Sequence, residues 1–197
     1  MSLQVLRRRK PHGTALEASL EAIRSGQMAP ISITSPPDTV EELTVQGDSF
    51  IFDSFTTADA FELGHFLHAR LSTDPRPTLI SITLAGDGPT LFRTVTGAGV
   101  TPDNEIWAAR KTASVLRWGC STWLLHCKFA GDEDGFAAKF GMDRAQASKY
   151  AIHGGAVPIR VRGVEGVVAV VVVSGLKQHE DHGVIVDVVK ENWEPVS

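Results

Sequence analysis

The sequence predicts an α+β domain in which helices flank an antiparallel sheet of about five strands. Two pairs of apolar, β-branched segments are each separated by a glycine turn, a pattern typical of β-hairpins, and hairpin strands pair antiparallel. Helical segments lie before, between and after the two hairpins instead of alternating singly with strands. That order is typical of a layered α+β domain and not of a doubly wound parallel sheet.

The individual elements are predicted from capping residues, prolines and hydrophobic spacing. Thr101 and Pro102 mark a helix start, because threonine caps the first turn and proline is tolerated at the first helical position. Residues 78–84 alternate β-branched and apolar side chains, which favours a strand. The predicted elements are, in chain order, a strand at 50–52, a helix at 56–71, strands at 78–84 and 89–96 about a turn at 86–88, a long helix from residue 102 that Gly119 interrupts, a short helix at 143–150, strands at 157–161 and 164–174, and a helix at 181–189.

Composition and charge exclude two classes of protein. The formal net charge is −4 even though the chain carries a basic run at residues 7–10, so the rest of the chain is more acidic still. An acidic body argues against nucleic-acid binding, which needs a basic stripe to meet phosphates. The longest apolar run, Val167–Val173, has seven residues, whereas a membrane span needs roughly 20.

Cys120 and Cys127 are too far apart on one helix for a disulfide, so we expect a reducing, cytoplasmic location.

Residues 1–40 are predicted to be a partly flexible N-terminal extension, and residues 41–197 to be the folded domain. Apolar residues recur at helical spacing over residues 16–23, which predicts one short amphipathic helix in the extension. Prolines then interrupt the chain before residue 40. The basic run at residues 7–10 makes the extension a candidate contact for a protein partner.

Three motifs follow one another across the predicted domain. The first runs from Trp107-Ala108-Ala109-Arg110-Lys111 to Ser121, the second is His153-Gly154-Gly155 with the strand to Val161, and the third is Val173-Ser174-Gly175-Leu176 followed by Asp181-His182. A weaker fourth match lies at 55–64. In this order the motifs resemble the HbpS/GlcG-like "haem-degrading domain" superfamily, in its branch of uncharacterised proteins, over roughly residues 40–192.

This resemblance implies a profilin-like sheet with helices on its faces, assembled into dimers or rings of dimers. Some members of the superfamily bind haem, so the resemblance makes haem a candidate cofactor. It implies no reaction for this branch, since a fold does not by itself carry a function.

The same motifs supply the candidate ligand-binding residues. Two arginines on the predicted long helix share a face, and beside a histidine they can hold a carboxylate or a phosphate. Salt bridges between subunits are the alternative explanation for these arginines. His153 is a candidate haem ligand, metal ligand or proton carrier, or else a turn histidine bonded to backbone, and the glycines after it allow a close backbone approach. The candidate ligand-binding residues are Arg110, Lys111, Arg117, Ser121, His153, Gly154 and Gly155.

Catalytic residues are not assigned, and no metal site is predicted. His179 and His182 lack the spacing and the third ligand of a zinc site, and are better explained by a solvated helix start. The sequence has no phosphate-binding loop, nucleophile elbow or dinucleotide fingerprint. We therefore predict a non-catalytic, small-ligand-binding oligomer that holds haem or a compact anion at a subunit interface. The alternatives are an assembly or adaptor protein that binds a protein partner, and an enzyme of unknown reaction.

Homo-oligomerisation is predicted from the sheet and from the long helix. Strand edges carry unpaired N–H and C=O groups that a second subunit can cover. The long helix carries tryptophan and arginine, which are enriched at interface hot spots. We therefore expect at least a dimer, with Trp107, Arg110 and Arg117 near the interface.

Overall fold

The computed structural model describes residues 4–25, 29–46, 48–86 and 88–196, and within them the chain forms seven strands and eight helices. Asp87, in the turn of the first predicted hairpin, lies outside the described residues. The strands are β1 (Val5–Arg8), β2 (Phe50–Phe52), β3 (Leu79–Leu84), β4 (Thr90–Val95), β5 (Ala156–Val161), β6 (Ala169–Ser174) and β7 (Trp193–Pro195). The helices are α1 (Thr14–Ser25), α2 (Val40–Gln46), α3 (Thr57–Leu71), α4 (Pro102–Trp118), α5 (Thr122–Lys128), α6 (Glu133–Lys139), α7 (Arg144–Ala147) and α8 (Gln178–Asn192).

The strands of the described chain form one mixed sheet in the order β4-β3-β6-β5-β2-β1-β7. Both predicted hairpins, β3–β4 and β5–β6, are present and meet through an antiparallel β3–β6 pair in which Ile82 lies opposite Val171. Beyond β5, strands β2 and β1 pair in parallel. The prediction of a wholly antiparallel sheet of about five strands is therefore wrong. Strands β1 and β7 are added, and parallel pairing joins distant segments without a local turn that a sequence pattern can reveal.

Helices cover both faces of the sheet, which confirms the α+β class with flanking helices. Every position of β6 is buried, and its successive side chains point to opposite faces. Val171 and Val173 pack in a core with α3 and α8, whereas Val170 and Val172 pack in a second core with α4. Within the described chain, no helix is both long and apolar enough to cross a membrane.

The helix boundaries follow local capping. Thr56 caps α3 in a reciprocal capping box with Asp59, and Thr101 precedes α4 as predicted. Gly119 ends α4 in the left-handed conformation at φ 66°, so the following residues form a separate helix, α5. Helix α8 begins at Gln178, earlier than the sequence predicts.

The segment before residue 41 contributes a strand and a helix to the folded body. Strand β1 lies between β2 and β7. The basic run contacts the body directly, since Arg7 pairs with Glu194 at 3.0 Å and Arg8 pairs with Asp59 at 3.3 Å. Residues 5–8 therefore belong to the sheet, and the division of the chain at residue 41 stays a prediction. The charged side chains of the run give no apolar alternation, which is why the strand was not predicted.

Glu62 of α3 holds the start of α1 through hydrogen bonds. Its side chain is fully buried. Its carboxylate accepts hydrogen bonds from the backbone N–H groups of Gly13 and Ala15 at the start of α1, the latter at 3.0 Å. A carboxylate in this place pairs otherwise unsatisfied N–H groups and interacts favourably with the helix dipole.

We expect Glu62→Ala to release α1 locally while the sheet stays folded. Hydrogen bonds to a charged group contribute about 1.5–3 kcal/mol each. Amide hydrogens of residues 14–25 should therefore exchange with deuterium at least about tenfold faster. Glu17→Ala, at an exposed position of the same helix, is the matched control and should change exchange little. Unaltered protection of α1 in Glu62→Ala would show that the carboxylate does not hold the helix.

Candidate functional site

A pocket of about 240 Å³ lies between α4, the turn before β5 and the start of α8. Three segments that are distant in the sequence meet here. Two of the predicted ligand-binding residues, Lys111 and His153, line the pocket, and the predicted interface residue Trp107 forms part of its wall. Further polar lining comes from Asn104, Ser174, Gln178 and Asp181.

Lys111 extends from α4 to the floor of this pocket. Its side chain is 4% exposed, and its Nζ lies 3.0 Å from Oδ2 of Asp181. Nζ also donates to the backbone carbonyl oxygen of Val173 at 3.1 Å. An ammonium group has three N–H donors, and these are its two acceptors among the described residues. One N–H donor of Lys111 therefore has no acceptor among the described residues.

Asp181 meets Lys111 from α8. Its Oδ1 accepts the backbone N–H of Leu176 at 2.9 Å. Burial raises the pKa of the Asp181 carboxyl, and the Lys111 ammonium opposes that shift. The interpretation of this region as a solvated helix start is wrong for Asp181 and for its neighbour His182, which is fully buried. Burial lowers the pKa of His182 to about 3, so its imidazole is neutral.

Gly155 allows the start of β5 to approach Lys111. Its φ is +113°, and a Cβ at this position would lie 2.5 Å from the carbonyl oxygen of Val173 and 2.7 Å from Nζ of Lys111. Such contacts are too short for a real Cβ atom, so only glycine fits here. Gly154 makes a similar approach to α8, where its Cβ would lie 2.4 Å from the carbonyl oxygen of Gln178.

His153 and Trp107 form the outer wall of the pocket. Their rings lie 4.8 Å apart edge to face, and the Arg110 guanidinium lies 4.6 Å from the Trp107 ring centroid. Nδ1 of His153 is 3.4 Å from Oε1 of Glu133 but has no hydrogen bond within the described chain. Burial lowers the pKa of His153 against the opposing effect of Glu133. The imidazole is therefore mainly neutral at neutral pH, when it can both donate and accept.

The other predicted ligand-binding side chains, those of Arg110, Arg117 and Ser121, do not line this pocket. The Arg117 guanidinium lies over the rings of Trp118 and Tyr150, at 4.7 and 4.8 Å from their centroids. Ser121 caps α5, where its Oγ accepts the backbone N–H of Leu124 at 3.0 Å. The structure thus brings Arg110 near His153 but does not bring Arg117 to the same place.

Comparison with known proteins decides the family. A family model described as "Haem degrading protein HbpS-like" matches residues 55–190. The chain belongs to the HbpS-like family. The resemblance seen in the three motifs is thereby confirmed, and the first 54 residues lie outside the matched range.

Relatives with uncharacterised-protein names cover most of the chain. A UPF0303 protein of Streptomyces avermitilis is 37% identical over 155 residues, which cover 79% of this chain and 91% of the relative. The UPF0303 protein YBR137W of Saccharomyces cerevisiae is 38% identical over 152 residues, which cover 76% of this chain and 82% of the relative. The crystal structure of Ybr137w has a TM-score of 0.69 at 34% identity and covers 88% of this chain and 92% of that one.

A more distant solved structure shares the fold alone. A double mutant of Streptomyces reticuli HbpS has a TM-score of 0.53 at 19% identity, and the match covers 70% of this chain and 86% of that one. At this identity the likeness extends to the arrangement of helices and strands and not to the residues of a site.

The family description makes haem a candidate ligand. The residues around His153, however, do not fit a haem within one chain. The pocket of about 240 Å³ is smaller than the roughly 300–1,000 Å³ of pockets that enclose drug-sized ligands, and a haem macrocycle is large among such ligands. Its floor is also a buried ion pair, Lys111 with Asp181, whereas the faces of a macrocycle need apolar walls.

Among the residues that the structure describes, other side chains with metal-binding or nucleophilic chemistry do not form a second site. Within the described residues, no three His, Cys, Asp or Glu side chains cluster so that they could hold a metal ion. Burial raises the pKa of Cys120 to about 12 and that of Cys127 to about 11, which keeps both thiols protonated and weakly nucleophilic.

Proposed function

We propose that this chain is a small-ligand-binding protein that takes a compact anion, a small carboxylate or phosphate, in the pocket at Lys111 and His153. The observation that carries the proposal is the third N–H donor of Lys111, which has no acceptor among the described residues and belongs to a pocket-lining side chain. A charged donor in a partly desolvated pocket forms strong hydrogen bonds with an anion.

The surroundings of Lys111 support an anionic and small ligand. The side chains of Asn104 and Gln178 add amide groups to the lining, and the first residues of α8 bring the positive end of a helix dipole. The Trp107 ring supplies a flat apolar wall, with the Arg110 guanidinium stacked on it. A volume of about 240 Å³ suits a ligand of few heavy atoms.

Calorimetric titration with oxalate and with inorganic phosphate tests this site. We expect one binding event per chain, and His153→Gln should weaken it about tenfold or more because one hydrogen bond to a charged ligand is altered. Arg117→Gln, which lies outside the pocket, is the matched control and should bind like the parent protein. Equal weakening by both substitutions, or no binding of either probe, would contradict the proposal.

Haemin should not saturate a single site at Lys111 and His153 in the isolated chain. The reason is the small volume and polar floor of the pocket. A spectroscopic titration should show a continuous change in the Soret band without a one-to-one endpoint. A sharp endpoint at one haemin per chain, abolished by His153→Gln, would contradict this expectation. The ligand of the site would then be haem and not a compact anion.

Assembly of the chain into at least a dimer stays a prediction. Trp107 and Arg110 are stacked on each other beside the pocket, so a second copy on this face would enclose the ligand. Light scattering at low micromolar concentration measures the mass, and a stable monomer would count against a site at a subunit interface.

A further inference from the structure

Lys111 differs from every other lysine of the chain. The six others, at positions 10, 128, 139, 149, 177 and 190, are exposed, whereas Lys111 is 3% exposed. Burying an ammonium and a carboxylate costs several kcal/mol per ion in lost hydration, so a buried ion pair is often no more stable than an apolar pair of the same volume. Stability alone therefore does not account for an ion pair on the floor of a pocket.

The partner of Lys111 is placed to take a proton from it. Oδ2 of Asp181 is 3.0 Å from Nζ, while Oδ1 is held by the N–H of Leu176 at 2.9 Å. Burial raises the pKa of Asp181, so this carboxylate accepts a proton more readily than one on the surface. Transfer of one proton along the 3.0 Å contact leaves a neutral amine, which is the nucleophilic form of lysine.

The position of the amine is set by backbone on two sides. Nζ donates to the carbonyl of Val173 at 3.1 Å, and Gly155 lies against it with no side chain, since a Cβ there would come within 2.7 Å. The amine is therefore held at one point of the pocket floor, below the wall formed by Trp107 and His153.

We propose that Lys111 captures the carbonyl carbon of a small α-oxo acid as an imine, with Asp181 as the proton acceptor and donor. This inference rests on the proposed anion-binding function and adds that the anion carries a carbonyl group next to its carboxylate. In α-oxo acids these two groups are adjacent, so one small pocket accommodates both.

The capture balances in atoms and electrons. The Lys111 ammonium gives one proton to Asp181, and the nitrogen lone pair forms a C–N bond to the carbonyl carbon while the C=O π electrons move to the oxygen. One N–H proton then moves to that oxygen, which gives a carbinolamine. The proton on Asp181 is passed to the new hydroxyl, which leaves as water while the C=N bond forms. The net change is an ammonium and a carbonyl converted to a protonated imine and water, with no oxidant or reductant.

Reductive trapping tests the inference on the full chain. The protein is incubated with glyoxylate and sodium cyanoborohydride, which reduces an imine to a stable secondary amine and leaves one carboxymethyl group on the reacting lysine. Peptide mapping should find the group on Lys111, at a rate at least about tenfold above that of any exposed lysine. Oxalate, which has no reactive carbonyl, should slow the trapping by competition.

Three variants separate reactivity from folding, with circular dichroism as the check that each is folded. Lys111→Arg should abolish the adduct at this position. Asp181→Asn keeps one acceptor oxygen, for the N–H of Leu176, but removes the carboxylate that accepts the proton of Lys111, and should slow trapping about tenfold. Lys177→Arg, at an exposed position next to the pocket, should trap like the parent protein.

The outcomes distinguish this inference from the proposed function. Binding of oxalate together with adducts only on exposed lysines would overturn the imine and leave the anion site standing. Absence of both oxalate binding and a Lys111 adduct would overturn both. Unchanged trapping in Asp181→Asn would overturn the role of Asp181.

Discussion

Replacing Lys111 with methionine should lower the free energy of unfolding by about 3–5 kcal/mol. The substitution removes the ammonium from the buried pair with Asp181, whose atoms lie 3.0 Å apart, and leaves a carboxylate without a counter-charge. Methionine is a flexible chain of similar length, so packing against α4 changes little. Urea denaturation followed by tryptophan fluorescence measures the loss.

The loss of unfolding free energy in Lys111→Met should depend on pH. Burial already raises the pKa of Asp181 in the folded protein, and Lys111 opposes that shift, so the pKa rises further in the variant. A carboxyl whose folded pKa exceeds its unfolded value binds its proton more tightly when folded, and the variant therefore loses stability as pH rises through the folded value. We expect a smaller loss at about pH 5 than at about pH 7.

A double variant is the control for the buried charge. Lys111→Met combined with Asp181→Asn removes both charges and keeps an acceptor for the N–H of Leu176. It should recover most of the lost stability, because no unpaired charge is left buried. A loss below about 1 kcal/mol in the single variant would show that Asp181 does not need its partner.

The parts of the fold that the sequence predicts are those formed by neighbours in the chain. The hairpins β3–β4 and β5–β6 and the start of α4 at Thr101 depend on turns and caps, which are local. Strand β1 was missed because it is short and two of its four residues are arginines, and β7 because Trp193–Pro195 is short and ends in proline. β1 becomes a strand by pairing with β2, about 45 residues later in the chain, and with β7, and β7 becomes one by pairing with β1.

Gly155→Ala should lower the free energy of unfolding by about 2–5 kcal/mol. The residue has φ +113°, which is unfavourable for alanine, and the new Cβ would lie 2.5 Å from the carbonyl oxygen of Val173. The same Cβ would lie 2.7 Å from Nζ of Lys111, so the lysine must move. Thermal or urea unfolding measures the first effect, and loss of oxalate binding measures the second.

Gly163→Ala is the matched control for this substitution. Gly163 also has a positive φ, at 77°, but a Cβ there meets nothing within 4 Å. It should therefore cost only the backbone preference, about 1 kcal/mol, and leave binding unchanged. Equal losses for the two variants would mean that the close approach to Lys111 contributes nothing.

The sequence predicts only those residues of the candidate site that belong to its motifs. Lys111, His153 and Gly155 belong to recognisable motifs, and the structure brings them together. Asp181 was missed as the partner of Lys111 because 70 positions separate them and no spacing rule links two helices so far apart. Arg117 was included because it shares a face of the predicted long helix with Arg110, yet its guanidinium stacks on Trp118 and Tyr150 instead.

The place of β1 in the sheet has a consequence for how the chain is made. β1 is made long before β7, and it pairs with β2 on one side and with β7 on the other. This part of the sheet therefore stays open until β7 has been made, and an open strand edge is prone to pair with other chains. Proteolytic loss of residues 5–8 would also leave residues 193–195 without their neighbouring strand, so these two segments are retained or lost together.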